Sequence, residues 1–303
     1  MAIHCVVCVK QVPDTKRITG EAMKEDGTVN RAALPAIFNP EDLNALEMAL
    51  EVRQRRGGSV TVVTMGPPSA CEVLRDALER GADRVLLLTD RRMGASDTLA
   101  TSYILSRAVR KLSAKLVLCG RQAIDGDTAQ VGPQLAEKLS VPLVTYVEEL
   151  IDAGRRALRL RRNVGNGWEL VECPLPCLVT VMETANTPRP PSAKRIMKYK
   201  KARAAVEVAA AVAEEMPGAT ARKRAAEVKR RCRALGDKGL LIEQWSLDDV
   251  DADLEWCGRD GSPTKVHRIQ AVVLAGGDYR QYPPTDEGVA ELVGHLIEDH
   301  TLG

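Results

Sequence analysis

The chain has 303 residues, 45% of them apolar and 28% charged, and a net charge of +2, the balance of a globular protein with a sizeable core, built as one large domain with an appendage or as two domains. Its nine aromatic residues are too few for the stacking platforms of a single-stranded nucleic-acid binder, and its near-neutral charge gives nucleic acid or a membrane surface no electrostatic hold. No apolar run reaches the roughly 20 residues of a membrane span, and Lys10 follows the first residues too closely for a signal peptide, so a cytoplasmic location is expected.

From the start to residue 147, short Val- and Leu-rich runs alternate with helical stretches. The runs are "IHCVVCV", "SVTVVTM", "RVLLL", "KLVLCG" and "LVTYV", unbroken as strands covered on both faces must be. Cys5 and Cys8 lie in the first of them. Residues three apart on a strand point to opposite faces, which argues against a shared metal or disulfide despite the C-x-x-C spacing. Cys173 and Cys177, with no second ligand pair, read as structural thiols, and a reducing compartment suits both pairs. The first helix opens on Asn39 as N-cap with Pro40 at its first position and stops at Gly57. The second runs from Ser69 to Gly81, the third opens on Ser96 or Asp97, and "GPQLAEKL" carries the fourth. Such alternation predicts an α/β fold with a doubly wound, mainly parallel sheet and right-handed crossovers.

Beyond residue 150 the pattern changes. "RALRLRRNVGNGWELVECPLPCLVTVM" reads as a hairpin, turning at "GNG", followed by another strand. "NTPRPPSAKRIMKYKK", with Pro188, Pro190 and Pro191, predicts an exposed, extended arm over 186–201. Residues 202–240 are Ala-rich, and Pro217-Gly218 divides them into two helices joined by a tight turn. Between 194 and 240 fourteen Lys or Arg stand against five Asp or Glu, a net +9 that leaves −7 for the rest of the chain. Both a solvated helical pair and a docking surface for an acidic partner fit that excess. Near the end, Val289, Leu292, Val293, Leu296 and Ile297 form an apolar helical stripe suited to packed core or a subunit interface.

In a parallel sheet, ligands bind beyond the carboxyl ends of the strands. There the chain reads "KQVPDT", "MGPPS", "TDRRMGASDT" and "CGRQAIDGDTAQVG", all polar, small-residue or Pro-bearing. Neither G-x-G-x-x-G nor G-x-x-x-x-G-K-[ST] is present, which excludes the usual dinucleotide fingerprint and the P-loop. In the fourth segment Gly126 and Gly132 permit close backbone approach, Thr128 offers a hydroxyl, and exposed N–H groups leading into a helix form an anion site. Asp125 and Asp127 would repel phosphate if they faced inward, so they are expected to bond backbone N–H groups or a ribose hydroxyl. The same composition also suits an ordinary strand-to-helix loop. With four histidines and no Ser-His-Asp or Cys-His set, hydrolysis is disfavoured, and redox chemistry would require a cofactor.

"VVCVKQVPDT", "NPEDLNALEMAL", "VTMGPP", "LRDALERGADR", "LCGRQAIDGDTAQVGPQLAEKL", "TPRPPSAKRIMKYKK" and "GSPTKV", collinear over most of the chain, resemble the beta subunit of electron transfer flavoproteins. "GASDTLATS" and "DGDTAQVGP" are similar to its electron-bifurcating branch, in which this subunit holds FAD and meets NADH; in the ordinary branch the pocket holds AMP. The resemblance implies a Rossmann-like domain over 1–185 with a small hairpin, a partner-docking arm over 186–201, a helical insertion over 202–240, and a C-terminal segment over 241–303 contacting an alpha subunit. It implies a pocket lined by Cys8, Asn39 and Met65, with Asn39 also wanted as a helix cap. Asp125, Gly126, Asp127, Thr128, Ala129, Gln130, Val131 and Gly132 would hold phosphates and ribose, and Asp97, Thr98 and Thr101 would contact flavin or NADH. The implied chemistry oxidises NADH, sending one electron to ferredoxin or flavodoxin and the other to a second FAD on the alpha subunit, with a dehydrogenase or quinone-linked acceptor downstream.

Two departures from that pattern fall at the partner-facing end. Ala193 stands where the family presents a large aliphatic plug for an acyl-CoA dehydrogenase, and 202–240 interrupts the usual passage from the arm to "IEQWSLDDV". The alternatives are a beta subunit holding structural AMP and, more weakly, a stand-alone adenine-nucleotide-binding protein.

Overall fold

The computed structural model of the chain describes residues 2–14, 34–265 and 280–298. Its first half winds β1 (Ile3–Cys8), a small antiparallel pair β2 (Gln11–Pro13) and β3 (Ala36–Phe38), α1 (Pro40–Arg56), β4 (Gly58–Met65), α2 (Cys71–Arg80), β5 (Arg84–Leu88), α3 (Thr98–Leu112), β6 (Leu116–Gly120) and α4 (Val131–Leu139). Then follow β7 (Leu143–Ala153), β8 (Ala157–Asn163), β9 (Trp168–Pro174), β10 (Cys177–Val181), α5 (Ala193–Tyr199), β11 (Arg203–Ala204), α6 (Ala205–Glu215), α7 (Ala221–Asp237), β12 (Leu241–Trp245) and α8 (Asp286–Glu298). The large sheet has the order β11-β12-β5-β4-β1-β6-β10-β7-β8-β9, parallel from β11 through β7 and closed by the antiparallel β7–β8–β9 hairpins. This is the doubly wound α/β fold that the alternation predicts. No helix among the described residues is long and apolar enough to cross a membrane.

The sheet has a core on each face, so its central strands carry apolar side chains on both sides. Cys5 and Val7 join Leu46, Met48, Leu50 and Leu74 from α1 and α2. Val6 and Cys8 join Ile104 and Leu105 of α3 and Leu135 of α4 on the opposite face. The Cys5 and Cys8 thiols therefore point apart, and burial pushes each up to about 12. Both are inert packing groups. Cys173 and Cys177 are likewise buried and free.

Residues 186–201 depart from the exposed, extended arm. Only the Pro-rich half is extended, because the prolines forbid helix there; Ala193–Tyr199 is helical. The stretch is also strapped down. Asn44 Nδ2 donates to the carbonyls of Glu183 and Asn186 (3.1 and 2.8 Å), Arg189 forks onto Glu47 (2.7 and 2.8 Å), and Ser192 N–H donates to the Glu79 carbonyl (3.1 Å). Two polar side chains of α1 thus hold residues 142 positions away, and a backbone carbonyl of α2 holds Ser192.

Residues 202–240 do form two helices joined by a turn, but their root is core. Ala202 and Ala204 are fully buried, β11 extends the sheet beside β12, and Arg75 of α2 pairs with Glu207 at 3.0 Å. On α8, Val289, Leu292, Val293 and Ile297 are exposed, so within this chain the apolar stripe is surface and not packed core.

Candidate functional site

The chain winds from β1 outward through β4 to β5, and α3 then carries it back across to β6 on the other side of β1. Where the winding reverses, between the carboxyl ends of β1 and β6, an open parallel sheet has its ligand crevice. The N-terminus of α1 lies between those two strand ends. Asp42 is buried and accepts from the backbone N–H of Lys10 after β1 (2.8 Å) and of Gly120 at the end of β6 (2.8 Å). Burial raises its carboxyl to about 7, with those two N–H bonds opposing the shift. Glu41 pairs with Arg121 (3.0 Å) and accepts from the Gln122 N–H (2.8 Å). Asn39 occupies the N-cap position but caps nothing with its side chain. Its amide instead donates to the Gln122 carbonyl (2.9 Å) and accepts from the Ile124 N–H (3.2 Å), bracing the loop after β6.

That loop turns tightly at Ile124–Gly126, where the Ala123 carbonyl accepts from the N–H groups of Gly126 and Asp127. Asp125 pairs with Lys10 Nζ at 2.7 Å, and Asp127 accepts from Gln122 Nε2 at 3.0 Å. Both carboxylates thus take side-chain partners, because Lys10 and Gln122 are delivered by the segments after β1 and β6. Asp127 and Ala129 have φ of +49 and +52°, a conformation that non-glycine residues hold only under constraint. Ala129 is followed by Gln130 at φ −94°, ψ −31°, and this left–right alternation turns successive N–H groups into one concavity. Among the described residues, the N–H groups of Thr128, Ala129, Gln130, Val131 and Gly132 donate to no protein acceptor. They lead into the positive end of α4.

Thr98, at the start of α3, ties that helix to the loop: its hydroxyl donates to Gln130 Oε1 (2.9 Å) and accepts from Gln134 Nε2 (3.4 Å). Among the described residues Gln134 Oε1 is buried with no partner, an orphan acceptor beside the row of free donors. The donor set fits the phosphates and hydroxyls of a nucleotide. The carboxylates that would oppose an anion are occupied by Lys10, Arg121 and Gln122, while five N–H groups remain open. Among the described residues no group of His, Cys, Asp and Glu could hold a metal ion.

The remaining expected residues divide. Cys8 and Met65 end β1 and β4 beside the crevice, Cys8 buried and Met65 partly so. Thr101 lies one turn into α3, partly exposed. Asp97 is fully engaged: its carboxylate caps α3 through the Ala100 N–H (2.9 Å) and accepts from the N–H and hydroxyl of Thr264, while its own N–H donates to Ser262 Oγ. Gly126 faces open space, whereas a Cβ on Gly132 would lie 2.6 Å from Thr180 Cγ2 and 3.0 Å from Cys119 Sγ. Gly132 thus seats α4 on the sheet, and Gly126 leaves open space beside the loop. Sequence reasoning missed Lys10, Glu41, Asp42, Arg121 and Gln134. The acidic pair after Pro40 was visible, but reads locally as helix-dipole complement.

The family model for the electron transfer flavoprotein domain matches residues 26–214. The electron transfer flavoprotein subunit beta of Clostridium acetobutylicum is 38% identical over 99% of this chain and all of its own length. A caffeyl-CoA reductase–Etf complex subunit, CarD, of Acetobacterium woodii is 38% identical, again over 99% of this chain and its whole length. The acryloyl-CoA reductase electron transfer subunit gamma of Anaerotignum propionicum is 45% identical over 98% of both chains.

Proposed function

The chain belongs to the electron transfer flavoprotein beta-subunit family, and on that premise we propose that it binds FAD in the β1/β6 crevice. In complex with an alpha subunit it oxidises NADH, sending one electron to ferredoxin or flavodoxin and the other to an FAD on the alpha subunit. The observation that carries the reading is the row of free N–H groups from Thr128 to Gly132 at the head of α4, a phosphate site made of backbone. When bound, the flavin supplies the exchange between two-electron and one-electron chemistry. The protein's part is to bind and orient. The N–H row and the Gln134 amide take phosphate and hydroxyl groups, Thr98 and Thr101 flank them from α3, and Cys8 and Met65 present apolar surface to a ring. The Lys10–Asp125 and Arg121–Glu41 pairs keep the loop shaped and its acid groups matched.

Counting FAD and AMP in the purified alpha–beta complex tests the proposal. Two flavins per complex and NADH-dependent reduction of ferredoxin are the expected result. One flavin accompanied by AMP would overturn it.

A further inference from the structure

The α6–α7 pair protrudes from the β11–β12 edge of the sheet. Its root is fixed by the Arg75–Glu207 pair, in which Arg75 Nη1 also donates to the Ala202 carbonyl (3.1 Å). Along the pair only Val208 and Val212 are buried, both on α6; α7 buries none of its residues. The inner face of α7 is accounted for: Arg231 bridges Glu215 of α6 (2.6 Å) and Glu227 (2.7 Å), and Val228 and Leu235 are partly covered.

The outer face is different. Helical spacing aligns Arg222, Lys229 and Arg233, all exposed, and places Ala225 and Ala226 between them and Gly236 just beyond. Among the described residues none of these three cations has an acidic partner, although neighbouring Arg230 and Arg231 do. A helix of 17 residues offers a strip about 25 Å long and 10 Å wide. That is far less than the roughly 1,200 Å² a stable complex buries and is of the size of a transient electron-transfer encounter. Small residues between the cations let a partner's surface approach closely, and α7 as a whole carries seven Lys or Arg against two Asp or Glu, a local positive field that attracts an anionic surface.

We propose that the outward face of α7 docks the acidic surface of a small one-electron carrier protein, an inference that rests on the electron-transfer reading above. The strip steers and briefly holds the carrier, so its effect resides in association rate and salt dependence.

The test uses the intact alpha–beta complex, immobilised, with a purified acidic ferredoxin as probe and binding read by surface plasmon resonance. Lys229→Glu with Arg233→Glu is compared with a control carrying Arg155→Glu and Arg156→Glu, two cations also exposed, on the β7–β8 turn. The expected result at low ionic strength is a loss of affinity of about tenfold or more in the α7 variant, little change in the control, and convergence of all three proteins at high salt. Lys229→Gln with Arg233→Gln should lose less than the reversal, which guards against a folding artefact. Equal ferredoxin binding by the α7 variant and the parent would overturn the proposal, as would a DNA duplex binding as tightly as ferredoxin. Binding is read without turnover, so a complex found to hold AMP in place of FAD would refute the proposed function and leave this measurement standing.

Discussion

Asp42 receives two backbone N–H bonds that favour its charged form, yet burial outweighs them and lifts its carboxyl to about 7. An unfolded Asp titrates near 3.9, so the folded chain binds the proton more tightly. The stabilisation is therefore full below about pH 4 and is lost as pH rises through 7, by at most about 4 kcal/mol. Urea titrations from pH 4 to 8 should show this decline in the parent and a markedly shallower dependence near pH 7 in Asp42→Asn. The two loop glycines make a second pair of expectations. Gly132→Val should destabilise by about 1–3 kcal/mol through overpacking, since its side chain would collide with Thr180 and Cys119. Gly126→Val faces open space and should shift stability by no more than about 0.5 kcal/mol, so cofactor lost from that variant is lost at the loop itself. Thermal melts with flavin absorbance on both variants separate the two effects. The sequence marks both positions as glycine; only the packing sets one against the sheet and leaves the other facing open space.

The helix starts show how far local rules reach. Of the two caps the sequence offers for α3, Ser96 and Asp97, the structure uses Asp97, and the same carboxylate holds Thr264 from 167 positions away. Asp97→Ala should therefore cost about 1–2 kcal/mol and also speed amide exchange at Thr264. Asn39, equally well placed as a cap, spends its amide on Gln122 and Ile124. Asn39→Ala should leave α1 intact and raise exchange in the 122–130 loop; faster exchange in the first turn of α1 would contradict this. The 186–201 segment follows the same logic. Its prolines announce an extended path, while Asn44, Glu47 and Glu79 determine that the path lies against α1 and α2.

At the scale of the molecule, α8 leaves Val289, Leu292, Val293 and Ile297 exposed, an apolar face that folding of this chain alone does not use. Pairing with an alpha subunit should cover it, and amide exchange in 289–298 should slow severalfold in the complex relative to the isolated chain; unchanged exchange would place the interface elsewhere. The net +9 of 194–240 was legible as charge, whereas which of the α7 cations face outward required the Arg231–Glu215 bridge to show which side packs inward. The sequence by itself determined the strand–helix alternation, the parallel doubly wound sheet and the loop after β6, because hydrophobic period and turn chemistry act between near neighbours. Tertiary structure alone decided that Asp42 joins the ends of β1 and β6, that Lys10 and Gln122 occupy the loop carboxylates, that Gly132 serves packing, and that five N–H groups stay open. Those outcomes depend on groups up to 115 positions apart, whose meeting is set by sheet order and not by any local preference.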